Sequence, residues 1–114
     1  MTEKRLIEIL ESIKLVKIGV FGDFCLDSYW LLDDGPIEYS IETNKRTFSV
    51  KKQKYSLGGA GNVVWNLADL GVKRVYAVGV IGDDLFGREM LRKMEELKID
   101  TSSIIIQRNN WDTP

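Results

Sequence analysis

The chain has 114 residues, of which 44% are hydrophobic and 29% charged, as is usual for a globular protein. Its 16 Lys and Arg residues against 17 Asp and Glu residues give a formal net charge of −1, which argues against a non-specific nucleic-acid binder. No histidine is present, so His-based nucleophilic catalysis, His general bases and His metal sites are excluded. The single cysteine, Cys25, excludes an intrachain disulfide and a thiolate metal cage.

The N-terminus is typical of a helix rather than of a targeting segment. Apolar residues recur at helical spacing over Thr2–Lys14, with Thr2 as the N-cap and charged residues interspersed, so we predict an amphipathic helix and no signal peptide. No apolar run reaches the roughly 20 residues that span a bilayer. We therefore expect a cytoplasmic protein without a membrane partner.

The first strand and a charged insertion follow. Val16–Phe21 is rich in β-formers and is expected to run into a loop at Gly22–Asp23. Asp23–Glu42 carries six acidic residues and no basic ones, whereas Thr43–Ser56 carries five basic residues and no acidic ones. Such strands would pair their charges across a small antiparallel sheet, so we predict a β lid inserted over about residues 29–57.

The second half alternates helices and strands. Gly58–Asn62 opens a helix that Gly71 ends, and the continuous apolar run Val75–Ile81 predicts a strand covered on both faces. Asp83 or Asp84 is expected to cap a third helix, and a last strand follows; the third helix should bury Leu85, Met90, Leu91, Met94 and Leu97, and the last strand should cover Ser103–Gln107. This order predicts βαβ units with a parallel sheet, that is, an α/β fold.

Two segments are candidates for chemistry because open parallel sheets bind ligands at the carboxyl ends of their strands. Asp23 and Asp27 follow the first strand, and a carboxylate can accept hydrogen bonds from two neighbouring sugar hydroxyls. The glycines of Gly58–Asn62 allow close approach of a ligand to a helix N-terminus, where the amide of Asn62 can donate. Purely structural roles stay open: the aspartates as turn residues or caps, and the glycines as a tight turn with Asn62 as a local cap.

Nucleotide-binding motifs are missing from the sequence. A dinucleotide fingerprint would need a third glycine where Val64 stands, and no Gly-Lys pair exists to complete a P-loop. The basic stretch with Phe48 and Tyr55 has the residue types of a single-strand nucleic-acid platform, but a solvated sheet face explains it better. We therefore expect no nucleic-acid partner.

Three motifs carry a resemblance to a known family. GDFCLDSYW at Gly22–Trp30, GGAGNVVWNLADLG at Gly58–Gly71 and VGVIGDDLFG at Val78–Gly87 resemble, in order and spacing, the N-terminal part of the ribokinase/PfkB sugar kinases. The first motif is most similar to the bacterial heptose 7-phosphate kinases of that family. The resemblance implies a ribokinase-like α/β fold: a partial, doubly wound parallel sheet with a small antiparallel β lid inserted after the first strand.

The resemblance also implies a function and site residues. It implies ATP-dependent phosphorylation of a sugar or sugar phosphate, with the sugar held by the residues that match the family's motifs: Asp27, Gly58, Gly59 and Asn62. The family's catalytic base and anion hole lie in a C-terminal Gly-Ala-Gly-Asp motif that has no match here. We therefore expect residues 1–114 to be the N-terminal part of a kinase domain that is inactive alone and binds neither ATP nor Mg²⁺ tightly.

Two alternatives to a kinase part remain. Lid strands form a dimer clasp in many family members, so apolar lid residues such as Phe48 and Val50 are expected to support a homodimer. The chain is then either the sugar-recognition portion of a kinase, or a non-catalytic module that binds sugar or dimerises through its lid. A third possibility is a truncated chain with no function of its own.

Overall fold

A computed structural model describes residues 1–108 and 112–114, in which three helices and seven strands form. Their order along the chain is α1 Glu3–Ile13, β1 Lys17–Phe21, β2 Phe24–Leu32, β3 Glu38–Tyr39, β4 Arg46–Thr47, β5 Val50–Gly59, α2 Ala60–Asp69, β6 Arg74–Gly82, α3 Leu85–Glu96 and β7 Asp100–Gln107. The chain forms two compact units, one of Met1–Leu26 with Leu57–Pro114 and one of Asp27–Ser56.

The first unit is built on a parallel sheet. Its strand order is β1-β6-β7, and β6 pairs in parallel with both neighbours. Ile18 lies opposite Val75, and Val80 lies opposite Ile105, with a register shift between Tyr76 and Val78. The predicted α/β fold with a parallel sheet is confirmed.

One face of this sheet forms the core. The buried hydrophobic residues come from β6, α2, α3, the inner ends of β2 and β5, and the position before β7: Phe24, Leu57, Val64, Val75, Ala77, Ile81, Met90, Met94 and Ile99. Burial along β6 alternates, so Val75, Ala77 and Ile81 are buried while Val80 is exposed. The prediction that this strand is covered on both faces is therefore wrong for this chain, because full burial is concentrated on one set of alternating side chains.

Side-chain caps and a glycine define the helix ends. Thr2 accepts a hydrogen bond from the amide of Arg5 at 3.3 Å, which confirms it as the cap of α1. Asp84, rather than Asp83, caps α3, and Gly71, with φ of 81°, follows the end of α2. Leu85 was expected in the buried stripe of α3 but is 67% exposed, because it is the first helical residue. None of the helices in the described part of the chain is long and apolar enough to cross a membrane.

The second unit contains the predicted small antiparallel sheet. β3 and β4 pair antiparallel, with Glu38 opposite Thr47 and Tyr39 opposite Arg46. The long strands β2 and β5 form a separate two-stranded sheet, whose inner ends belong to the first unit. The predicted charge pairing is wrong, since within the described residues no ion pair joins the acidic run to the basic run. The observed register sets charged residues opposite a hydroxyl and an aromatic ring instead.

We predict that Gly79→Ala destabilises the first unit by about 1–3 kcal/mol, the usual cost of overpacking. A Cβ at Gly79 would lie 2.6 Å from Cδ2 of Phe24 and 2.9 Å from the carbonyl oxygen of Gly22. Gly19 on β1 is the matched control, because a Cβ there would meet nothing within 4 Å. Urea unfolding followed by circular dichroism measures both variants, and equal midpoints for the two would contradict the prediction.

Candidate functional site

The turn after β1 is joined to the start of α2. The amide of Gly22 donates to the carbonyl oxygen of Val78 at 3.3 Å, and the carbonyl oxygen of Asp23 accepts from the amide of Ala60 at 2.8 Å. Ala60 is the first residue of α2, so one N–H group that the helix cannot satisfy itself is used here. The expected loop is only the two residues Gly22–Asp23, and β2 begins directly after them.

Gly59 makes the closest approach in this region. Its backbone has φ of 53° and ψ of −129°, a conformation that residues other than glycine rarely adopt. A Cβ there would lie 2.5 Å from the carbonyl oxygen of Asp23 and 3.0 Å from Sγ of Cys25. Gly58, the preceding residue, is buried at the end of β5. Gly59 is thus needed for packing of the chain on itself, whatever else it contacts.

Asn62 lies in the first turn of α2 with its side chain exposed. Its carbonyl oxygen and Oδ1 accept from Nδ2 of Asn66 at 2.8 and 3.3 Å. The residue before the helix is Gly59, which makes no side-chain cap, so the alternative of Asn62 as a local N-cap is not what the structure has. The side-chain nitrogen of Asn62, Nδ2, has no hydrogen-bond partner in the described part of the chain, which leaves it available as a donor.

The predicted sugar-binding residues therefore lie on three segments. Gly58, Gly59 and Asn62 are brought together at the junction of β5 and α2, within the first unit. Asp27 is an exposed residue of strand β2 and the first residue of the second unit. The alternative that Asp27 is a turn residue or a helix cap is therefore wrong, because it lies within a strand.

Each unit has a cavity of its own. In the first unit a cavity of about 220 Å³ lies where β1 and β6 end, and its lining residues are Phe21, Gly22, Asp23, Phe24, Gly79, Val80 and Pro114. Carboxyl ends of parallel strands are the usual ligand position in α/β sheets. The larger cavity, of about 560 Å³, lies in the second unit between residues 32–38 and 46–49, where Arg46 stacks over the Phe48 ring at 5.7 Å. Neither cavity is lined by any of the four predicted sugar-binding residues, so the cavities do not identify the site.

A cluster at the start of α3 was missed by sequence reasoning. Oδ1 of Asp84 accepts from the Gly87 amide at 2.6 Å and from the Thr113 hydroxyl at 2.8 Å, while Oδ2 accepts from the Thr113 amide at 2.8 Å. The Thr113 hydroxyl oxygen in turn accepts from the amide of Gly82 at 2.9 Å. The bond to Gly87 is the expected helix cap, but Thr113 is 29 residues from Asp84 and 31 from Gly82, so no local pattern indicates its part in the cluster.

The Asp84 carboxylate is held in its charged form. Burial alone would raise its pKa, but hydrogen bonds from the backbone of Thr113 and Gly87 and from the Thr113 hydroxyl, with the nearby Arg88 guanidinium, hold the pKa below its usual value. Asp83, in contrast, faces Arg88 at 3.0 Å and Arg108 at 3.9 Å. No group of three or more potential metal ligands occurs among the residues that the structure describes.

We predict that Gly59→Ala destabilises the first unit by about 2 kcal/mol or more, since backbone strain and a clash with Asp23 add up. Gly71→Ala is the matched control: Gly71 also has a positive φ, but a Cβ there would meet nothing within 4 Å. Its cost should stay near the roughly 1 kcal/mol of a left-handed backbone alone. Urea denaturation of both variants tests this, and an equal loss of stability would show that the close approach is unimportant.

Comparison with known proteins identifies the family. Residues 23–111 match the pfkB family of carbohydrate kinases. The bifunctional protein HldE of Aliarcobacter butzleri is 40% identical over 97 residues, which cover 84% of this chain and 20% of that protein. The chain therefore spans about a fifth of the length of this curated relative.

Solved structures agree with this match. A fructokinase from Xylella fastidiosa, solved with bound ATP, is 26% identical with a TM-score of 0.59, over 89% of this chain and 26% of its own. Arabidopsis thaliana ribokinase complexed with ribose and ATP shares the fold, with 22% identity and a TM-score of 0.62 over 85% of this chain and 30% of its own. The ribokinase-like fold is thus confirmed, and the chain belongs to the pfkB family of carbohydrate kinases.

Proposed function

We propose that the complete protein carrying this sequence transfers the γ-phosphoryl group of ATP to a hydroxyl of a sugar or sugar phosphate. The observation that carries this proposal is the family match over residues 23–111. ATP as the donor is supported by the fructokinase relative, which was solved with bound ATP. Heptose 7-phosphate is the acceptor we favour, since the first motif resembles heptose 7-phosphate kinases and the similar curated proteins carry the name HldE.

In this proposal the chain supplies the sugar side of the reaction. The Asp27 carboxylate, exposed on β2, accepts hydrogen bonds from two neighbouring hydroxyls. Nδ2 of Asn62, which has no hydrogen-bond partner among the described residues, donates to a third oxygen of the sugar. The backbone at Gly58–Gly59 lies close to the sugar. Holding the acceptor hydroxyl in one orientation is a large part of what catalyses phosphoryl transfer.

Neither the base nor the phosphate site is assigned to this chain. The described residues contain no metal-ligand cluster, and the sequence contains no P-loop or Gly-Ala-Gly-Asp motif. We therefore propose that ATP, Mg²⁺ and the catalytic base are handled by other parts of the complete enzyme, and that residues 1–114 alone have no kinase activity.

We predict that Asp27→Asn in the complete protein lowers kcat/KM for the sugar about 10- to 100-fold, as expected for loss of a hydrogen bond to a charged group. The KM for ATP should not change, because Asp27 is proposed to contact only the sugar. Asp34→Asn, an exposed aspartate of the same unit, is the matched control and should retain activity. The assay measures ADP release with heptose 7-phosphate, fructose and ribose. Unchanged kinetics for Asp27→Asn would remove this residue from the site, and no activity with any sugar would refute the function.

We also propose that the second unit, the β lid, pairs with a second copy of this chain. Large apolar side chains are exposed along it, and they are Tyr29, Trp30, Leu31, Leu32, Ile37, Tyr39, Ile41, Phe48 and Val50. Patches of this kind mark interaction surfaces. The alternative function, a dimerisation module without catalysis, depends on the same surface, and the kinase assay above separates the two.

We predict that Phe48→Asp weakens the dimer at least about tenfold, as removal of an apolar interface residue does. Leu15→Asp is the control, since Leu15 is exposed and apolar but belongs to the first unit. Sedimentation equilibrium of the complete protein measures both dissociation constants. A monomeric unmodified protein, or a dimer that Phe48→Asp leaves intact, would contradict dimerisation through the lid.

A further inference from the structure

The cluster around Asp84 does more than cap a helix. An N-cap requires one acceptor oxygen, and Oδ1 of Asp84 fills that role by accepting from the Gly87 amide at 2.6 Å. Oδ2 plays no part in the cap and accepts from the Thr113 amide at 2.8 Å. Thr113 is only 8% exposed, and its hydroxyl makes two further bonds, to Asp84 and from the Gly82 amide. Asp84 therefore fixes both the backbone and the side chain of Thr113.

From Thr113 the connection continues to strand β2. Pro114, the next residue, accepts a hydrogen bond on its carbonyl oxygen from the amide of Leu26 at 2.9 Å. Phe24, two residues before Leu26, is 1% exposed and packs at Gly79. The inner end of β2 is thus held by a buried side chain at Phe24 and by the Pro114 carbonyl at Leu26. Leu26 directly precedes Asp27 in the chain.

We propose that Asp84 is a positioning residue for the sugar site. By fixing Thr113 and Pro114 it holds the backbone at Leu26, the residue that precedes Asp27 in the chain. The inference rests on the proposed function, because it gives Asp84 a role only if Asp27 binds the sugar. Asp84 itself touches neither the sugar nor ATP in this proposal, so in the folded enzyme its loss should change the KM for the sugar and not the KM for ATP.

Asp84→Asn separates the two roles of the carboxylate. The variant keeps an oxygen for the Gly87 amide but places an NH₂ group against the Thr113 amide, where two donors cannot bond. Asp100→Asn is the matched control. The Asp100 carboxylate also accepts from a backbone amide and a hydroxyl, both of Ser102, and from Arg74, but it lies at the start of β7.

The expected result in the complete protein is a rise in the KM for the sugar of about tenfold, with the KM for ATP unchanged, since small misplacements of a binding group weaken substrate positioning. Amide hydrogen exchange at Leu26 should accelerate by about tenfold as its bond to Pro114 opens more often. Asp100→Asn should change neither quantity. A role confined to folding would lower the melting temperature and the active fraction but would leave the sugar KM of the folded enzyme unaltered.

Thr113→Val supplies a second test if Asp84→Asn fails to fold. It removes the hydroxyl bonds to Asp84 and Gly82 at nearly constant volume, and it should raise the sugar KM in the same direction. Folded variants with an unaltered sugar KM and unaltered exchange at Leu26 would overturn the positioning role while leaving the kinase proposal intact. If the unmodified protein phosphorylates no sugar, the proposed function fails first and the positioning role falls with it.

Discussion

The close approach of two backbone segments at Gly59 is the constraint on which the first unit depends. The carbonyl oxygen of Asp23 meets both the Gly59 backbone and the amide of Ala60, so the turn after β1 and the start of α2 occupy one small volume. A side chain at this position would separate them. Because β1, β2, β5 and α2 all begin or end beside this contact, it determines where the inner strands lie relative to the helix that covers them.

Much of the fold follows from local physics. Thr2 caps α1, Gly71 ends α2, and the apolar run of β6 forms the central strand, each as the sequence pattern indicates. The sequence pattern predicted burial less well where it depends on contacts between two segments. Leu85 fits the apolar stripe of α3 but is exposed at the first position of the helix. The alternating burial of β6 likewise depends on which face the helices cover, which no single strand encodes.

In the candidate site, too, features set by local sequence were predictable and features set by distant contacts were not. The glycine junction with Asn62 was predictable, because close approach and a helix N-terminus are local properties of Gly58–Asn62. The strand position of Asp27 was only partly predictable, since it requires β2 to begin at Phe24 rather than after a longer loop. The contribution of Asp84 was not predictable as a whole: a cap at Asp83 or Asp84 could be expected, whereas its bonds to Thr113 exist only in the folded chain.

Helix α1 contributes no residue to the buried core of the first unit. It buries none of its residues, and its helical conformation depends on the Thr2 cap and on pairs within its own turns, such as Arg5 with Glu8 and Lys14 with Glu11. A helix of 11 residues is marginal by itself. Substitutions in residues 1–14 should therefore cost the parallel sheet less stability than substitutions at Gly59 or Phe24.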